Sequence, residues 1–117
     1  MYRNIVVKHV VQALAVAVTL LTALGAGAAA DVEAAKGLAR QNSCFACHSV
    51  DKVKEGPTFK KVAEKYRGKA DAEATLLAHL TAGSKVKFPD GHEEAHKVIK
   101  SSDKAAIKNL ADWILEQ

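Results

Sequence analysis

The 117-residue sequence predicts an all-α domain of about four helices. Three observations carry that expectation. Apolar residues recur at intervals of three and four in four separate stretches. Each stretch is bounded by a polar capping residue or by glycine and proline. No run alternates polar and apolar residues in the way a half-buried strand requires.

The domain does not begin at the first residue. Arg3 and Lys8 give a positive start, Val10 to Leu24 is apolar and uncharged, and Gly25 to Ala30 is built only from glycine and alanine. The small residues offer Ala-x-Ala cleavage sites ending at Ala28 or Ala30. This is the layout of a secretory signal peptide, so residues 1–30 are read as the signal and 31–117 as the exported domain. The alternative is a retained anchor, because Val10 to Ala30 approaches the ~20 helical residues that span a bilayer. Only then would the chain be held at a membrane. The formal charge of +4 falls to +2 once Arg3 and Lys8 leave, and no nucleic-acid partner is implied.

The elements of the domain follow in order. Val32 to Asn42 reads as a helix with Val32, Ala35, Leu38 and Ala39 at helical spacing and Asp31 as N-cap. Ser49 to Glu55 is a polar loop ended by Gly56-Pro57. Thr58 to Arg67 is a second helix with Phe59, Val62, Ala63 and Tyr66 on one face, closing at Gly68. Asp71 caps a third helix through Ala82, with Leu76, Leu77 and Leu80 apolar and Gly83 as C-cap. Ser84 to Ser101 is irregular, with Pro89-Asp90-Gly91 as a turn. Ser101 or Ser102 caps the last helix, to about Glu116, whose stripe is Ile107, Leu110, Ala111, Ile114 and Leu115.

Between the first two helices stands Cys44-Phe45-Ala46-Cys47-His48, the C-x-x-C-H pattern of covalent c-type haem attachment. Two thiols at this spacing reach the two vinyl groups on one edge of a haem, and the adjacent histidine comes up under the ring as an axial ligand. Cys44 and Cys47 would thus become thioethers and His48 the proximal ligand. Three rivals use the same cysteines. A thioredoxin-like redox pair expects a βαβ setting that this chain lacks. A zinc site from Cys44, Cys47, His92 and His96 would leave 44 residues between Cys47 and His92, far outside finger spacing. A structural disulfide would close too short a loop to stabilise much. One covalent haem also gives so small a domain an apolar surface to wrap.

The order of helix, C-x-x-C-H, Gly56-Pro57, two helices, irregular loop and a last helix bearing Ala111-Asp112-Trp113-Ile114 resembles a small bacterial class I c-type cytochrome. The resemblance covers essentially all of residues 31–117. It implies a small cytochrome c fold of about four helices round one haem c, with the first and last helices crossing beside it. It implies that the carbonyl of Pro57 receives the proximal histidine, and that a methionine before the last helix ligates the other side of the iron. It also implies a periplasmic electron carrier, not an enzyme, whose partners are other redox proteins of the cell envelope.

The sequence departs from that pattern at the sixth ligand. The only methionine is Met1, which leaves with the signal. Counting back from the last helix, His96 falls about where the methionine would stand, and His92, one turn earlier, is the runner-up. The expectation is therefore a bis-histidine haem of lowered potential, with His79 left as a half-exposed surface histidine on the third helix. His92 to His96 also matches H-E-x-x-H, the zinc-binding helix of metalloproteases, but the domain is too small to frame a protease cleft. Lys52, Lys54, Lys60, Lys61, Lys65, Arg67 and Lys69 against Asp51, Glu55 and Glu64 read as a solvated face, or else as a patch that steers an acidic partner toward the haem edge. Two other functions keep the same haem: a sensor or small-ligand-binding cytochrome with an open distal site, and a haem subunit of a larger oxidoreductase.

Overall fold

The computed structural model describes residues 28–117. Residues 1–27, and with them most of the segment read as a signal peptide, lie outside the described residues. Within them are four α-helices: α1 (Val32–Gln41), α2 (Phe59–Tyr66), α3 (Ala72–Ala82) and α4 (Lys104–Leu115). A 3₁₀ turn, Cys44–Ala46, follows α1, and a two-stranded antiparallel hairpin, β1 (Lys85–Lys87) and β2 (Glu93–Ala95), separates α3 from α4. Among the described residues no helix is long and apolar enough to cross a membrane.

Three of the four helices open on a side-chain cap. Asp31 accepts from the Ala34 N–H at 3.0 Å, Thr58 from Lys61 at 3.1 Å and Asp103 from Ala106 at 3.0 Å; each such cap contributes about 1 kcal/mol. Asp71 stands at the N-cap of α3 as expected, but its side chain makes no capping hydrogen bond. Its carboxylate instead accepts from the Thr75 hydroxyl one turn on. α3 ends as expected at Gly83, whose φ of 69° lies in the left-handed region that glycine adopts without cost.

α4 is the centre of the core. Ile107, Leu110, Ala111, Trp113 and Ile114 are buried along it, and it packs on α1, α2 and α3 in turn. Its most extensive packing is on α1, and Ala35 and Ala39 of α1 and Ala111 of α4 have no exposed surface. Small side chains there let the two backbones approach closely. The crossing is pinned at one end by a reciprocal pair of hydrogen bonds: Asp31 N–H to Asn109 Oδ1 at 2.7 Å and Asn109 Nδ2 to the Asp31 carbonyl at 2.8 Å. Trp113, Phe59 and Phe45 pack edge to face at centroid distances of 5.4–6.5 Å, which ties α4 and α2 to the turn carrying the cysteines. Such pairs add about 0.5–1.5 kcal/mol each beyond the area they bury.

Two features differ from the sequence expectation. The stretch 84–101 holds the hairpin, paired Lys85 to Ala95, Val86 to Glu94 and Lys87 to Glu93. Its strands have only three residues each, and five of the six residues are exposed, so no alternation marks them. The Pro89-Asp90-Gly91 turn reverses the chain, with Gly91 at φ 93°. The last helix starts at Lys104, capped by Asp103. The Ser101 hydroxyl is occupied in accepting the Asp103 N–H at 3.1 Å, and so cannot cap a helix itself.

Candidate haem site

The site is built from the turn after α1, the segment before α2, and the exit of the hairpin. α1 stops at Asn42, whose side-chain amide donates to the Leu38 carbonyl while its Oδ1 accepts from the Lys100 N–H at 2.8 Å. Ser43 takes a left-handed conformation, φ 57°, and turns the chain sharply into Cys44. The N–H groups of Cys47 and His48 both return to the Cys44 carbonyl, at 3.2 and 3.0 Å. This compact turn gathers Cys44, Cys47 and His48 at one cleft. Both cysteines are free and half-buried, and burial pushes the Cys44 thiol up.

His48 is held from two sides. Its ring stacks on buried Phe59 at 5.4 Å and 19°, and its Nδ1–H donates to the Pro57 carbonyl at 2.7 Å. That bond selects the tautomer whose Nε2 is free to bind metal. Gly56 makes room for the arrangement: a Cβ there would lie 2.5 Å from Cε1 and 2.8 Å from Nδ1 of His48. The Gly56 N–H closes the loop onto the Cys47 carbonyl at 2.8 Å.

The opposite wall carries His96. It follows β2 directly, and its N–H continues the hairpin pairing onto the Ser84 carbonyl at 2.9 Å. Its Nδ1 bonds the Lys97 carbonyl at 2.9 Å, so this imidazole too engages a carbonyl through Nδ1 and keeps Nε2 available. The ring centroids of His48 and His96 are 6.0 Å apart and tilted by 47°. Burial lowers the pKa of His96 despite the Lys97 carbonyl, and the nearby His48 adds to the effect; the neutral form, the one that ligates metal, is favoured. Between the two rings lies a cavity of about 320 Å³ whose walls include Tyr66, Leu76, Leu80, Leu110 and Ile114, with Lys61, Lys65, Lys87 and Lys97 on its lining.

Cys44, Cys47, His48, Pro57 and His96 thus meet at one cleft, and His92 does not. His92 sits at the hairpin tip, its ring stacked on Phe88 at 4.3 Å and 11° and hydrogen-bonded to Asp90. The zinc readings fail on this geometry. The segment between His92 and His96 is a strand, not a helix, and four residues of extended chain span ~13 Å. His79, read from the sequence as a half-exposed surface histidine, also lines the cleft, its ring centroid 4.4 Å from that of His96. Burial is the first cause that lowers its pKa, followed by His96, Lys65 and His48. His79 follows Leu76 by three residues, so the two share a flank of α3, and it is half-buried there.

The donor set suits a haem. Two thiols stand beside an imidazole whose Nδ1 is engaged by a backbone carbonyl, and a second imidazole lines the same largely apolar cleft. A small helical fold with this arrangement defines a class I c-type cytochrome. The comparisons agree: the cytochrome c family profile matches residues 32–117, and the chain belongs to that family. It is similar to cytochrome c-551 of Allochromatium vinosum, 37% identical over 78 residues that cover 67% of this chain and 80% of the relative. It is 40% identical to cytochrome c-552 of Nitrosomonas europaea over 67% of this chain and 73% of that one. Among solved structures, the class 1 cytochrome MtoD from Sideroxydans lithotrophicus ES-1 superposes with a TM-score of 0.73 at 69% identity, covering 75% of this chain and 97% of the other. Membership of this family means one covalently bound haem c and a role in electron transfer.

Proposed function

We propose that the haem is bonded through Cys44 and Cys47, ligated by His48 and His96, and works at a lower potential than in methionine-ligated relatives. The observation that carries this reading is the 6.0 Å separation of two half-buried imidazoles across one cleft, each with its Nδ1 engaged by a backbone carbonyl. With metal–nitrogen bonds of about 2 Å, as imidazole makes to zinc, two rings bound to one ion stand at about that separation. Residues 31–117 contain no methionine to take the place of His96. Imidazole donates more strongly to ferric iron than a thioether does, so it stabilises the oxidised state, whereas methionine raises the potential.

The bound haem supplies a one-electron couple. The chain's part is to hold both axial imidazoles in place through either oxidation state and to keep water away from the distal face with the apolar walls of the cleft. The carrier reading, and not that of an enzyme, follows from this closed coordination. The protein is exported by cleavage of residues 1–30 and works in the periplasm with other redox proteins. The lysines on the cleft steer partners that present an acidic face.

Optical and EPR spectra of the holoprotein test the ligand set. His96→Ala is expected to yield a high-spin haem that binds carbon monoxide, and His92→Ala to leave the low-spin spectrum unchanged. The reverse pattern would transfer the role to His92. A wild-type ferrous haem that binds carbon monoxide promptly would replace the carrier by a ligand sensor.

A further inference from the structure

Three imidazoles line the cleft and the proposed ligand set uses two. The third, His79, is half-buried and stands with its ring against that of His96 at 4.4 Å and 43°. The two rings come from very different supports. His79 projects from α3, which is anchored in the core by Leu76 and Leu80, 4% and 6% exposed. His96 leaves an exposed three-residue strand, held by its backbone bond to Ser84 and by one ring bond to Lys97. A single hydrogen bond at Nδ1 pins one point of the imidazole and leaves the ring free to rock about the axis from that nitrogen toward the iron. A second contact, on the face or edge of the ring, is needed to set its plane. Among the described residues His79 supplies an aromatic ring at that place, and its own ring makes no hydrogen bond that would hold it elsewhere.

We infer that His79 is a positioning residue for the distal imidazole: by packing on His96 it sets the plane in which that ring meets the iron. The inference rests on His96 being the ligand. The angle between the planes of two axial imidazoles splits the iron d orbitals that hold the unpaired electron of the low-spin ferric state. The g values of that state therefore report the plane angle directly, and a residue that merely fills space does not move them.

The experiment compares ferric EPR spectra and midpoint potentials of the holoprotein with those of His79→Ala and His79→Phe, with helical circular dichroism as the folding control. His79→Ala is expected to stay six-coordinate and low-spin while its largest g value shifts or spreads into a broadened feature, with a shift in potential. His79→Phe, which keeps a ring without nitrogens, is expected to restore the wild-type signal. Unchanged g values in folded His79→Ala would overturn the inference, as would failure of phenylalanine to restore them, which would assign the effect to the nitrogens. A high-spin haem in His79→Ala would make His79 itself the ligand. Low-spin ferric haem persisting unchanged in His96→Ala would refute the ligand assignment beneath the inference, and that outcome is read without any change at position 79.

Discussion

Adding one methyl group at position 56 is expected to disable the proximal side of the site. In Gly56→Ala the new Cβ would fall 2.5 Å from Cε1 and 2.8 Å from Nδ1 of His48, and 3.0 Å from the Cys47 carbonyl. Non-bonded carbons sit at about 3.5–4.0 Å, so the imidazole must retreat by about 1 Å. Its way back is closed by the stack on Phe59, itself 4% exposed. A retreat of that size away from the Pro57 carbonyl takes the 2.7 Å bond beyond hydrogen-bond range. Overpacking of this kind costs about 1–3 kcal/mol and the lost bond about 1 kcal/mol. Together, at about 2–4 kcal/mol, they lower the melting temperature of a domain this size by roughly 8–32 °C. Without its carbonyl partner the imidazole is a weaker donor, and the potential rises. Thermal melts followed by circular dichroism, together with a potentiometric titration of the holoprotein, measure both effects. A variant that melts within about 3 °C of wild type at the wild-type potential would refute the reasoning.

The remaining expectations are simpler to read. Replacing Cys44 and Cys47 by alanine should release the haem on acid-acetone extraction and in denaturing gels, where the unaltered protein keeps its pigment. Trp113→Ala removes a side chain only 3% exposed that packs against Phe45 and Phe59. It should cost about 3–5 kcal/mol by denaturant unfolding. At the hairpin tip, the Asp90 carboxyl is held below its ordinary value by the His92 backbone N–H first and by the His92 ring second. Because the shift is downward, the bond steadies the turn above the unfolded pKa and releases it as pH falls through the lower, folded one. NMR titration should find Asp90 below the ordinary aspartate range, and His92→Ala should return it part of the way, since the backbone donor remains.

The helices were legible because each buries one face and shows it in the spacing of its apolar residues. The C-x-x-C-H turn was legible because its chemistry is written in five adjacent residues. The hairpin was not: Lys85, Lys87, Glu93 and Glu94 are all exposed, so the pairing rests on backbone bonds that leave no apolar pattern. The start of α4 was off by one or two residues because Ser101, Ser102 and Asp103 are all capping residues in a row. Only the structure shows that the first spends its hydroxyl on the third. The cleft-lining place of His79 was hidden for a related reason. α3 is apolar on several sides, with Leu76, Leu77, Ala78 and Leu80 around His79, and such a helix does not announce which flank faces the cleft.

The support of His96 also separates two cooperative units. The helices share one core that includes Leu110 and Trp113, and their amides are expected to exchange only when that core opens. The segment that leaves the hairpin is tied to this core by the Ile99 N–H to the Leu80 carbonyl and the Lys100 N–H to Asn42, while five of the six strand residues are exposed. Segments held this way swing out at far lower free energy than the whole domain unfolds. The coordination bond proposed from His96 to the iron would act as a latch between a slow body and a fast one. Its breaking would then let amide protons of residues 85–96 exchange while those of α1 and α4 stay protected.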